Sequence, residues 1–174
     1  EMQFAGSAGA WSDVWADVRS DVSVNVKYGI SGTGPFDHIA DTGTMEFALD
    51  NSQSNSCGLL GYYAPGHANA RSGFDLGIRA RLRVVYSGST VYKFLGTLDD
   101  ATPEANRWSS RRTNCTVTDW MDEAAKHKLK VLAVQTNSRS DQLVAAVVGN
   151  MLRAPAASSL NSGQDTVPIA GDNW

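Results

Sequence analysis

Three histidines, His38, His67 and His127, are the residues from which metal or general-base chemistry would have to be built. They lie in separate segments, and none has a second His or Cys at the short spacing of a zinc site. Asp37, His38 and Asp41 are close enough to suggest ligands, but a polar loop accounts for them equally. Serine hydrolysis needs its nucleophile on a tight strand-to-helix turn, in the pattern Gly-x-Ser-x-Gly. That pattern is absent, and Gly88-Ser89 falls in an expected hairpin. Cys115 lies within an alternating strand, and Cys57 has no neighbouring His in sequence, so neither reads as an activated nucleophile.

Two acidic clusters raise the question of glycoside hydrolysis, which needs two carboxylates about 5–10 Å apart. Asp99, Asp100 and Glu104 read as a solvated turn near Pro103. Asp119, Asp122 and Glu123 fall at the start of an expected helix, where carboxylates meet the positive end of the helix dipole. Gly29 to Gly34 is glycine-rich but lacks the Lys-Ser/Thr ending of a phosphate loop, so it reads as a turn between strands. Asn114-Cys115-Thr116 matches a glycosylation acceptor by pattern only. No catalytic residue, metal site or cofactor is therefore assigned, and the chain reads as a non-enzyme.

The elements that must carry these residues are mostly strands. Val22, Val24, Val26 and Tyr28 alternate with polar residues, and so do Met45, Phe47 and Leu49. From 78 to 86, Ile78, Ala80, Leu82, Val84 and Tyr86 share one face while Arg79, Arg81 and Arg83 share the other, because successive strand side chains point to opposite sides. The arginine stripe is a solvated or ion-paired face, or a possible subunit contact through Arg79, Arg81 and Arg83. Ser87-Gly88-Ser89 then leads into Val91, Tyr92, Phe94 and Leu95, a hairpin signal. Trp11 to Val18, Arg111 to Val117 and Leu129 to Val134 are further strand candidates. Two helices are expected, one from Thr118 or Asp119 through Leu129 and one from about Ser140 to Leu152. The segment from Asp50 to Phe74 is long for a structureless loop, and is expected to pack onto the barrel or a neighbouring subunit.

The 174 residues carry 42% hydrophobic and 19% charged side chains, a globular balance. A net charge of −3 argues against a dedicated nucleic-acid binder. No apolar run approaches the roughly 18 residues of a membrane span, and no secretory leader is evident after Glu1. The two cysteines are too few for a disulfide framework and are expected to be free and largely buried, with a Cys57–Cys115 pair left open. The strands suit a barrel or a sandwich over 1–135, followed over 136–174 by a helix and an extended stretch.

Several segments, in order, resemble phage minor tail proteins. Trp11-Ser12-Asp13-Val14 with Ala16-Asp17-Val18-Arg19 resembles the family's opening strand. Gly43 through Asn51 is similar to its glycine-led strand ending in Leu-Asp/Asn-Asn. Gly77-Ile78-Arg79-Ala80-Arg81-Leu82 and Tyr92 through Leu98 resemble its hairpin, and Cys115 through Trp120 its strand-into-helix segment. Ser159 through Thr166 resembles the link before a second domain, which implies that 136–174 opens such a domain and that the chain is a piece of a longer protein. The resemblance spans about residue 3 to the end. It implies a structural virion protein of the tail tip or baseplate hub. The implied fold is mainly β, of α+β type: a tail-tube-like β-barrel of about six or seven strands with two helices packed against it. The implied partners are itself, in a ring of three or alternatively six copies, and neighbouring tail-tube and tail-tip proteins. Neither nucleic-acid recognition nor membrane insertion is implied; the protein would be assembled in the bacterial cytoplasm and reside in the virion. The alternatives are a host-surface glycan-binding module using Trp11, Trp15, Tyr62, Tyr63 and Trp108, and, ranked below it, a cell-wall-degrading tail enzyme.

Overall fold

The computed structural model describes residues 1–4, 9–29, 40–104, 111–128, 133–151, 153, 155, 158–163 and 166–170. The chain divides into two compact units, Glu1–Met121 and Asp122–Trp174.

The first unit is a curled antiparallel sheet of six strands, open along one side as a half-barrel. Its strands are β1 (Met2–Gln3), β2 (Asn25–Gly29), β3 (Asp41–Asp50), β4 (Arg79–Tyr86), β5 (Ser89–Glu104) and β6 (Arg112–Thr118). They lie in the order β1-β4-β5-β6-β3-β2, so β1 and β2 are the edges and the sheet does not close on itself among the described residues. The alternation seen in the sequence holds: Met45, Phe47 and Leu49 of β3 face inward with Thr113, Cys115 and Val117 of β6. Phe94 and Leu98 of β5 and Ala80 of β4 complete that face. Each large apolar side chain buried here contributes about 1.5–3 kcal/mol.

Three register shifts bend the sheet, one of them between Lys27 and Gly29 where β2 meets β3, the other two in β5. One falls in β5 at Lys93, since Leu82 opposes Phe94 while Arg83 opposes Tyr92. The other falls at Asp99, between the Leu98–Val117 and Asp100–Thr116 pairs. Such bulges add local twist and curvature. Between β4 and β5, Ser87 and Gly88 both have positive φ, 47° and 78°, as a two-residue type I′ hairpin turn requires. Serine is a poor occupant of the first position because its Cβ opposes that conformation. Ser87→Gly is therefore expected to raise stability by about 0.5–1 kcal/mol, read as a higher urea midpoint; an unchanged or lower midpoint would show that the turn carries no strain.

Trp11 to Val18 departs from the strand expectation. It bridges β1 at Ser12 and β3 at Val18, but between them it forms a 3₁₀ turn at Trp15–Asp17. The reason is Asp17, whose carboxylate is drawn inside the unit. The excursion from 51 to 78 packs onto the sheet as expected, through a chain of tight turns. Tyr63 and Phe74 meet edge to face in the core, with ring centroids 5.3 Å apart. The buried side chain of Asn55 organises the first turns: its amide donates to the Ser52 and Leu59 carbonyls, and its oxygen accepts from the Cys57 and Leu59 amides.

The first helix, α1 (Trp120–Lys126), starts where Asp119 Oδ1 accepts the Met121 amide at 3.0 Å. The second unit contains β7 (Gln135–Arg139), α2 (Ser140–Gly149) and β8 (Thr166–Ala170); β7 and β8 pair antiparallel and α2 packs with them. The Arg139 amide donates to Gln142 Oε1 at 2.9 Å at the start of α2. Of the strand expected at 129–134, residues 129–132 lie outside the described residues, and Ala133 and Val134 precede β7 without joining it. The Arg139 guanidinium and the Gly163 amide hold the Asp141 carboxylate at about 2, below its ordinary pKa. No helix among the described residues is long and apolar enough to cross a membrane.

Candidate functional site

The N-terminal stretch works as a strap across the open side of the half-barrel. At one end Met2 and Gln3 pair with Ala80 and Arg79 of β4. At the other, the Arg19 amide donates to the Ala48 carbonyl of β3 at 2.8 Å. The strap is fastened inside by Asp17, only 3% exposed. Asp17 Oδ1 accepts the Ser56 amide (2.6 Å), and Oδ2 accepts the Ser56 hydroxyl (2.6 Å) and the Tyr63 phenol (2.5 Å). Burial, then the hydrogen bond to Asp17, pushes the Tyr63 phenol well above its ordinary pKa, so it stays a donor. Arg71 donates to the same phenol oxygen at 3.1 Å and lies 3.9 Å from the centroid of the Phe4 ring. The Asp17–Tyr63 centre of this polar group is buried, with Ser56 at its exposed end, and it serves the fold.

Of the arginine stripe, two members are engaged within the molecule. Arg81 is stacked between the Trp11 and Tyr92 rings, at 4.1 and 4.3 Å from their centroids, and its Nε meets Glu1 Oε2 at 2.5 Å. Arg83 pairs with Glu1 at 2.9 Å and with Asp13 at 3.3 Å. Arg79 is exposed. The stripe thus lies beside the strap as an anchoring strip as well as a cationic face.

Among the described residues, the β4 edge beyond the strap is uncovered. A groove of about 500 Å³ lies between strap, β3 and β4, with Val14, Trp15, Val24, Met45, Phe47 and Leu82 among its walls. Past it the β4–β5 hairpin stands clear of the body. Val84, Val85, Tyr86, Val91 and Tyr92 are 41%, 58%, 81%, 46% and 55% exposed, so both faces of the tip are in solvent. Trp15 beside the groove is 69% exposed. Clusters of this kind mark interaction sites more often than solitary exposed apolar residues do.

The backbone of the tip is open as well. Arg81 donates its amide to the Glu1 carbonyl (2.9 Å), and its own carbonyl accepts from the Glu1 nitrogen (3.0 Å). In an antiparallel ladder outward-pointing groups recur every second residue. Arg83 and Val85 therefore aim their N–H and C=O groups the same way, and no described residue pairs with them. An unpaired edge of this kind is a template for another strand.

The other residues singled out by chemistry are dispersed. Asp37, His38 and Trp108 lie outside the described residues, as does the glycine-rich stretch beyond Gly29. Asp41 and His67 are exposed, the His67 ring lies against Gly61, and His127 is half-buried. Glu104 binds Arg112 and Asn114, Asp122 binds Lys126, and Glu123 accepts the Arg153 amide. Both cysteines are free. Cys115 is buried and desolvation pushes its thiol up to about 12. Cys57 is exposed instead of packed, because it sits on the outside of the Asn55 turn. Among the described residues no group of three His, Cys, Asp or Glu side chains could hold a metal ion. Tyr63 is fully buried and Tyr62 packs edge-on against it at 70°, so neither belongs to an exposed aromatic platform.

No protein-family model, curated protein or solved structure matches the chain. The strap, the groove and the open hairpin edge are the features the geometry itself brings together. The sequence hinted at the hairpin by its turn residues, but nothing in the alternation distinguishes its exposed tip from its buried base.

Proposed function

We propose that the chain is a structural component of a bacteriophage tail, at the tail tip or baseplate hub, that acts by assembling with copies of itself and with neighbouring tail proteins. The observation that carries the assembly role is the β4–β5 hairpin, which presents a bare strand edge and a cluster of uncovered apolar side chains. Solvent-exposed valines and tyrosines at this density cost a lone chain solubility, and they gain stability when a partner covers them.

The tail assignment rests on the ordered resemblance to minor tail proteins. The resembling segments are consecutive working parts of one unit: Trp11–Arg19 is the strap, Gly43–Asp50 is most of β3, and 77–98 makes the hairpin with its flanks. Cys115 to Trp120 is the passage from β6 into α1. Acidic side chains tied up in ion pairs and caps support a role by shape rather than by chemistry. A soluble ring about an axis requires a self-complementary or head-to-tail surface on every copy, and the hairpin is the part of this unit fitted for it.

Light scattering with negative-stain microscopy on the purified chain tests the reading. Discrete rings of three or six copies are the expected result. A strict monomer at the highest soluble concentration would sink it.

A further inference from the structure

We infer that the gap between the strap and the bare edge of β4 takes an extended peptide segment of a partner protein. The segment adds as a short strand opposite Arg83, Val84 and Val85, with one apolar side chain turned into the groove. The inference rests on the assembly reading of the same hairpin and deepens it, by naming the partner as an extended chain instead of a folded surface.

Two features of one wall identify the occupant. Arg83 and Val85 turn their N–H and C=O groups outward, and no described residue pairs with them. The same stretch of β4, from Ala80 to Val85, lines the groove of about 500 Å³. A hydrocarbon chain would fill the apolar space but leave these backbone groups without partners, which is costly once water is displaced. A peptide backbone supplies both donor and acceptor at the required spacing, while a pocket beside the edge takes its side chain; strand addition binds in this way.

The length is set at both ends. Glu1 already exchanges two hydrogen bonds with Arg81, and the turn at Ser87-Gly88 ends the strand. The free edge therefore runs only from Leu82 to Tyr86. A second copy's β4 does not fit there, because its far end would run into Glu1. A short segment that begins where β1 stops does fit, and it prolongs a pairing the fold already makes.

The residue types follow from the pleat. Directly opposed residues of a strand pair share a face. The residue opposite Val84 thus lies on the face of Ala80 and Leu82, toward Met45 and Phe47 of the groove. The charges beside it cancel, since Arg81 is held by Glu1, and Arg83 by Glu1 and Asp13. Complementarity calls for an uncharged, apolar side chain at that place.

A peptide titration decides it. The probe is acetyl-Thr-Thr-Ile-Thr-Thr-amide, whose threonines favour an extended chain, added to the isotope-labelled full chain and followed by nuclear magnetic resonance. Binding with a Kd of about 1 mM is expected, with the amides of Arg83 and Val85 shifted and slowed in hydrogen exchange. A second peptide with Asp in place of the Ile sets a carboxylate against the groove, and is expected to bind at least about tenfold more weakly. Val85→Pro removes one outward N–H and is expected to weaken the Ile peptide similarly. Should that proline disturb the hairpin, the comparison of the two peptides still decides on the unaltered protein. No binding up to about 10 mM, equal binding of both peptides, or binding that leaves the Arg83 and Val85 amides unchanged overturns the inference. Rings without peptide binding would leave the assembly reading standing and remove this strand; peptide binding by a strict monomer would do the reverse.

Discussion

Asp17→Ala is expected to destabilise the first unit by roughly 2–3 kcal/mol, since a buried donor left without a partner, here the Tyr63 phenol, costs about 1–3 kcal/mol, while the exposed Ser56 can turn to water. The substitution removes the acceptor for the Tyr63 phenol, the Ser56 hydroxyl and the Ser56 amide together. Tyr63 is 0% exposed, so water cannot take the place of the carboxylate without opening the core. Arg71 does not compensate, because it donates to the phenol oxygen and offers no acceptor. Urea denaturation followed by tryptophan fluorescence gives the number. Tyr63→Phe, which removes only one of the three donors, should cost less, and a double-mutant cycle should show strong coupling between the two sites. A loss below about 1 kcal/mol for Asp17→Ala would be incompatible with a fastening role for this residue. The consequence reaches the interaction surface, because Asp17 holds the strap whose Glu1 and Asp13 neutralise Arg83 beside the open edge.

Gly96→Val is expected to have an effect of similar size for a different reason. A Cβ at this position of β5 would press on the Thr118 carbonyl oxygen, and would lie 2.8 Å from Val117 Cγ1 and 2.9 Å from the Thr118 carbonyl carbon. Two of those neighbours are backbone of β6, which is pinned by pairing to β3 on one side and β5 on the other. Overpacking a core ordinarily costs about 1–3 kcal/mol; with no flexible side chain to yield, Gly96→Val is expected at or above the top of that range. Soluble yield and urea midpoint together report it. A variant as stable as the parent would show that β5 and β6 can move apart at this point, and would remove the reason for a glycine there. The alanine variant, with the same Cβ and nothing beyond it, should fall between parent and valine.

Much of the sheet was legible in the residues. Period-two alternation is a local property, set by the geometry of one extended chain, so Met45-Phe47-Leu49 and Thr113-Cys115-Val117 announced their inward faces without reference to anything else. The hairpin at Ser87-Gly88 was legible for the same reason, since turn chemistry acts over three or four residues, and the helix at Ser140 was legible from its apolar spacing. Trp11 to Val18 was not, since its apolar spacing suits a strand, and only the distant Ser56 and Tyr63 draw Asp17 inward and coil the chain into a 3₁₀ turn. The outward position of Cys57 was likewise hidden, because it depends on how Asn55 closes its own turn.

The candidate site lay furthest from view. The sequence determined that Arg79, Arg81 and Arg83 share one face of a strand, and that Val84, Tyr86 and Val91 are apolar. Only the tertiary structure decided that Arg81 is spent between Trp11 and Tyr92, that the strap covers β4 as far as Arg81 and stops, and that the valines beyond it stand in solvent. Which side chains share a face follows from the pleat of a single strand. Which edge is left unpaired follows from the order β1-β4-β5-β6-β3-β2, a product of contacts between residues as far apart as Met2 and Ala80.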